Sequence, residues 1–271
     1  MRSLKIIAIG NGLGLAATIA VSYGSNTGIL DGHTMAELSA RYPTLVTPAP
    51  YAFSIWGLIY LSLIGSVGYS ARAAFQRRDD PAFRKRGDLA FQRREDPALR
   101  IGGWFLVTCV ANCCWVLAWL YGHTGLSVLL MMLLLGALLR IIVLTDMELT
   151  DPLWPEIVFV WWPFCLYTGW ITVAILANIA AWLVKLGIGV SALEAIGLLV
   201  VAGAAYLFMT WKRNMREYAF VGVWALAAIA RADWHRAPSV AGVATALALV
   251  LFISSSIHGY RNRAYGPFRK R

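Results

Sequence analysis

Three groups of aromatic residues are spaced so that each group lies on one face of a helix. Phe53, Trp56 and Tyr60 stand at i, i+3 and i+7, and Asn112, Trp115 and Trp119 repeat that spacing. Tyr167, Trp170, Ala174 and Asn178 extend it to i+11. Steps of three and four residues return to the same side of an α-helix. Indole and phenol rings offer stacking area with one polar atom each, and a carboxamide offers a donor and an acceptor. The chemistry available to such a set is the binding of a flat, mostly apolar molecule. On spacing alone a second reading fits equally: the rings pack helix on helix, and Asn112 and Asn178 each bond a neighbouring helix.

Bond-making chemistry has no comparable signal. A nucleophile elbow, a phosphate loop and a His/Glu pair at metal spacing are all missing from the sequence. No catalytic residue, metal site or required cofactor is therefore expected, and an enzyme is the less favoured reading. His33, His123 and His235 are expected in outer loops and His258 at the inner end of the last apolar block, all solvated. Cys109, Cys113, Cys114 and Cys165 fall inside apolar blocks without metal-type spacing and read as small apolar residues. Arg140 and Glu194 lie near block ends, so the mid-block acids and bases of an ion-coupled pump are missing.

The elements that must position the rings follow from composition. Of the 271 residues 59% are hydrophobic and 14% charged, where a soluble domain carries about a quarter as charged residues. Too few charges remain to coat a soluble surface, which excludes a soluble enzyme, a disordered chain and a secreted disulfide scaffold. The apolar residues form eight blocks: 4–23, 51–73, 102–121, 126–144, 157–184, 191–211, 218–230 and 239–258. Backbone amides in lipid must be bonded within the segment, so the blocks are helices. The fold class expected is all-α, a polytopic membrane bundle of about eight helices, with 218–230 the shortest block. Pro163 predicts a kink in the fifth. Trp104, Trp154, Trp161, Trp211 and Trp234 fit an interfacial belt by position.

With the N-terminus inside, 20 of the 24 Lys and Arg fall in inner segments, and Arg41, Lys185, Arg231 and Arg236 make up the outer four. This bias predicts both termini on the cytoplasmic side. The net charge of +10 is thereby a topology signal, and no recognition motif points to nucleic acid. The basic tail 261–271 is expected to attract anionic headgroups of membrane lipid. The first block reads as a retained anchor rather than a cleaved signal peptide, since no small-x-small site follows it. Between the second and third blocks, residues 74–84 recur as 90–100 with nine of eleven positions identical. A tolerated loop insert is the preferred reading over a partner-docking arm.

The stretch Pro43 to Tyr60, with Pro48, Pro50 and the run Ser54-Ile-Trp-Gly57, resembles the proline-rich loop and second helix of the TspO/MBR family of tryptophan-rich sensory proteins. Asn112-x-x-Trp115 resembles that family's third-helix pattern, and Trp170, Asn178 and Trp182 resemble its fifth. The resemblance covers residues 1 to about 184 and implies a five-helix domain there, with 74–100 as an insert. Residues 185–271 would then be a three-helix extension. It implies a pocket for a porphyrin-like tetrapyrrole or another flat hydrophobic molecule, lined by Trp56, Asn112, Trp115, Trp170 and Asn178. A receptor or sensor is the leading expectation, a transporter or efflux carrier for such molecules the alternative, and photo-oxidative tetrapyrrole degradation a third. Thr47-Pro48 replaces the family's paired prolines and Leu45 a usual loop Trp, both in the segment that lids the family's pocket. A homodimer is left open by the three extra helices. The expected location is the bacterial cytoplasmic membrane.

Overall fold

Each apolar block is a helix in the computed structural model, which describes residues 2–30, 32–76, 97–150 and 152–261. In chain order the long helices are α1 (Arg2–Thr27), α2 (Ile55–Gln76), α3 (Trp104–Leu120) and α4 (Thr124–Leu144). They continue as α5 (Trp162–Lys185), α6 (Ala192–Arg213), α7 (Arg216–Asp233) and α8 (Pro238–Arg261). No strand occurs among the described residues. Six of the eight, all but α3 and α7, are long and apolar enough to cross a membrane. The chain is therefore an integral, multi-pass membrane protein. α3 is apolar but has 17 residues, and α7 has 18 residues with Arg216, Glu217, Arg231 and Asp233 at its ends. Most of the duplicated insert, 77–96, and the tail 262–271 lie outside the described residues.

Local chemistry sets the helix ends. Ser191 and Glu194 form a capping box at the start of α6, and Thr34 and Glu37 form one for a short helix, Met35–Arg41. Asn214 closes α6 in the left-handed region at φ 60°, a conformation its short side chain tolerates, and α7 starts two residues later. Pro163 is accommodated at the first turn of α5, where a missing N–H costs least. The strain expected as a kink is taken up just before it by one wider, π-type turn over Ile157–Trp161.

α5 is the hub: it packs on α2, α4, α6 and α7. Of its most apolar stretch 78% is buried, against 22% for α1. The α5–α7 crossing is close because Gly169 faces it. A Cβ there would lie 2.9 Å from Val221 Cβ and 3.0 Å from the Tyr218 carbonyl oxygen. Small residues at such contacts let dispersion and polar bonds hold helices together where lipid removes the hydrophobic drive. Tyr206 of α6 donates to the Gly169 carbonyl at 2.6 Å, and the Thr172 and Tyr218 hydroxyls bond at 2.8 Å. The buried core thus runs unbroken from Leu15 in α1 to Leu251 in α8, through both the 1–184 and the 185–271 parts.

Two expectations are corrected. Trp161 is 4% exposed because the wider turn rotates it into the core, so it does not belong to the interfacial belt; Trp104, Trp154, Trp211 and Trp234 are exposed. His258 is not solvated but buried, with Trp211 edge-on at 5.1 Å.

Candidate functional site: an aromatic cluster between α2, α3 and α5

The helix faces read from the spacing converge. Trp56 opens α2 directly after a tight helical turn, Pro50–Ser54, and its half-buried indole touches four rings. Tyr60 and Trp115 stack on it at 5.4 and 6.3 Å, and Tyr167 and Trp170 meet it edge-on at 5.8 and 6.5 Å. Phe53, 44% exposed, closes the rim with its edge on Trp170 at 5.6 Å. Pairs in these geometries are worth about 0.5–1.5 kcal/mol each beyond area burial. Trp119 is buried but lies apart from this group, its ring edge-on to Tyr42 at 6.2 Å.

The two carboxamides occupy different electrostatic positions. Asn178 uses both polar atoms on protein: its Oδ1 accepts from Trp115 Nε1 at 3.0 Å and Ser127 Oγ at 2.9 Å, and its Nδ2 donates to the Ala174 carbonyl at 3.0 Å. Asn112 is fully buried and donates from Nδ2 to the Tyr167 hydroxyl at 2.8 Å, but its Oδ1 has no partner. An unpaired buried carbonyl costs on the order of 1–3 kcal/mol. A donor brought into the cluster would recover that cost. Tyr60 is anchored from its far end, its hydroxyl donating to Ser22 Oγ at 2.6 Å.

The segment leading into Trp56 is fastened to α7, which spacing arguments did not foresee. The Ala49 N–H donates to the Ala228 carbonyl at 3.1 Å, and Trp224 Nε1 donates to the Ala52 carbonyl at 3.2 Å. The Tyr51 and Trp224 rings meet edge-on at 5.4 Å. The Thr44 and Thr47 hydroxyls bond at 2.8 Å, and Leu45 packs half-buried on the core. Ser22, Ser127 and Trp224 carried no sequence signal, because each acts across elements far apart in the chain.

Charge gathers at one end of the bundle, around residues 142–148 and 213–217. Arg213 donates to the Ile142 and Met147 carbonyls at 3.2 and 3.4 Å, and Asn214 Nδ2 donates to Glu148 at 3.3 Å. Burial, reinforced by the charge of Glu217 and opposed by Arg216 and the Asn214 bond, pushes the Glu148 carboxyl up to about 8. No group of three or more His, Cys, Asp or Glu side chains is placed to hold a metal ion among the described residues.

No curated protein and no solved structure matches the chain. The family of TSPO-like proteins matches residues 6–257, a span that runs past residue 184 and takes in α6, α7 and most of α8. Convergent aromatic faces in α2, α3 and α5 of an all-helical membrane bundle, together with a match over nearly the whole chain, establish that this protein belongs to the TSPO-like family.

Proposed function

We propose that the protein is a receptor-like membrane protein that binds a flat hydrophobic molecule, a porphyrin or related tetrapyrrole, at Trp56. One observation carries this reading: Trp56 touches four aromatic rings from α2, α3 and α5 beside the unpartnered Asn112 carbonyl. The rings now rest on one another. A flat molecule would enter by parting the near-parallel Trp56 and Trp115 rings, and Trp56, half-buried at the start of its helix, is the ring best placed to move. Trp170 and Tyr167 then supply edges, Asn112 accepts from a donor at the rim of the guest, such as a propionic acid O–H kept neutral by burial, and Asn178 holds Trp115 in place. No catalytic group or cofactor enters this reading. The hydrophobic small molecule is the partner, and the bacterial cytoplasmic membrane is the proposed location.

The test is titration of purified protein with protoporphyrin, read by Trp fluorescence quenching. Saturable quenching is expected in the wild type, with a weaker and right-shifted curve in Trp56→Phe/Trp170→Phe. Identical curves, or no saturation, would end the proposal. Accumulation of porphyrin in proteoliposomes would replace the receptor with a carrier, and light-dependent loss of the porphyrin band would replace it with an enzyme.

A further inference from the structure

A second site lies away from the aromatic cluster, where the start of α4 meets the end of α5. A groove of about 430 Å³ there has Thr124, Gly125 and Leu126 on one wall and Trp182, Lys185 and Leu186 on the other, with no carboxylate in its lining. His123 also lines it, and with the Lys185 ammonium, the Trp182 indole N–H and the first-turn amides of α4 the groove holds more donors than acceptors. The exposed Lys185 ammonium is steadied over the groove by one bond to the Gly122 carbonyl, leaving two of its three protons. The first-turn amides of Gly125 and Leu126 have no backbone partner, because only the Thr124 and Ser127 amides find one in the preceding turn. They sit at the positive end of a 21-residue helix. Independently, Thr124 is 1% exposed and its hydroxyl has no hydrogen-bond partner.

The apolar half of the groove says what kind of anion fits. Leu126, Leu186 and Trp182 are 51%, 56% and 37% exposed. From Leu126 the exposed track continues along α4 through Leu129 and Leu133, at helical spacing and toward the middle of the span. Gly125 keeps the indole against the first turn: a Cβ there would lie 3.0 Å from Trp182 Nε1. A head that accepts hydrogen bonds, joined to a chain that follows a leucine track, is an amphiphile.

We propose that this groove seats the phosphate headgroup of an anionic phospholipid. Lys185 and the Gly125 and Leu126 amides hold the phosphate, and an acyl chain runs past Trp182 along Leu126, Leu129 and Leu133. The site is independent of the tetrapyrrole reading and stands or falls without it.

Native mass spectrometry of the full chain in a mild non-ionic detergent tests it, with dioleoylphosphatidylglycerol as the probe. One lipid per wild-type chain is expected to survive detergent stripping. Its occupancy should fall about fivefold in Lys185→Gln, the worth of one cation at an anionic lipid surface, and recover in Lys185→Arg. Thr124→Val, which removes only the hydroxyl, should weaken retention by a smaller factor. Phosphatidylcholine should be retained less, and millimolar inorganic phosphate should not displace the bound lipid. Equal retention by wild type and Lys185→Gln at unchanged melting temperature would overturn the site. Displacement by inorganic phosphate would overturn the lipid assignment.

Discussion

Replacing Asn178 and Asn112 one at a time by leucine separates a residue that holds the cluster from one that meets its guest. Leucine keeps asparagine's branched skeleton and heavy-atom count and adds a similar small volume at both sites, so the difference between the two variants comes from the polar atoms. In Asn178→Leu the buried Trp115 Nε1 loses its acceptor, while Ser127 keeps the Thr124 carbonyl at 2.8 Å. One orphaned buried donor costs about 1–3 kcal/mol. In Asn112→Leu the 2.8 Å bond to Tyr167 is lost, but so is the unpartnered Oδ1. A cross-helix bond in a membrane protein is worth about 0.6 kcal/mol, so the net change is expected within about 1 kcal/mol of zero. Thermal unfolding in detergent reads the difference, since 1 kcal/mol moves Tm by roughly 2–4 °C in a chain of this size class. Asn178→Leu should fall by roughly 2–12 °C and Asn112→Leu by no more than the low end of that range. Porphyrin affinity should reverse the order, with the larger loss in Asn112→Leu. Equal Tm values for the two variants, or a larger Tm loss in Asn112→Leu, would refute the assignment of roles.

Trp224→Phe removes the donor to the Ala52 carbonyl but keeps a ring against Tyr51; stopped-flow quenching should show faster porphyrin association and dissociation, at a stability cost of about 0.6 kcal/mol. Gly169→Leu drives a side chain against the Tyr218 carbonyl and Val221, and the overpacking should cost about 1–3 kcal/mol and loosen α7 from α5, seen as faster proteolysis of the 214–216 turn. Glu148, whose carboxyl titrates near 8 when folded against an ordinary 4.5, makes the folded state bind more protons than the unfolded between those values. Stability should therefore decline as pH rises through that window, Tm being lower at about pH 9 than at about pH 6, and Glu148→Gln should flatten the slope; parallel Tm profiles for the two proteins would refute it.

The eight blocks and the three ring faces were legible because both rest on local periodicity. Lipid demands long apolar helices, and steps of three and four residues fix which side chains share a face whatever the helix packs against. What the sequence hid is whatever depends on which faces meet. Trp119 shares the phase of Asn112 and Trp115, yet at the far end of the face it packs on Tyr42, because the short helix Met35–Arg41 covers that end of α3. Asn112 and Asn178 looked equivalent; only the position of Ser127, 51 residues before Asn178, reveals that one is saturated. Trp161 reads as interfacial until the wider turn before Pro163 rotates it inward. The role of α7 was least visible, since its block is the shortest and its partners, Ala49 and Ala52, present backbone atoms that no side-chain pattern encodes.

The two bonds that fasten Ala49 and Ala52 to α7 also bear on the direction of traffic. A flap stitched down along one edge swings only about that edge, so its free margin is the side of Phe53 and Trp56. Exposed Leu61 and Ile64, reached from Phe53 through Gly57 by steps of four and three, continue that margin along α2, and they face hydrocarbon in a membrane-embedded helix. A guest would accordingly slip in sideways from the acyl chains, where a planar hydrophobe is already concentrated by partitioning, rather than descend from water. Occupancy would then follow the amount of guest dissolved per unit of membrane, and diluting the aqueous phase at fixed lipid-to-guest ratio would leave it nearly unchanged.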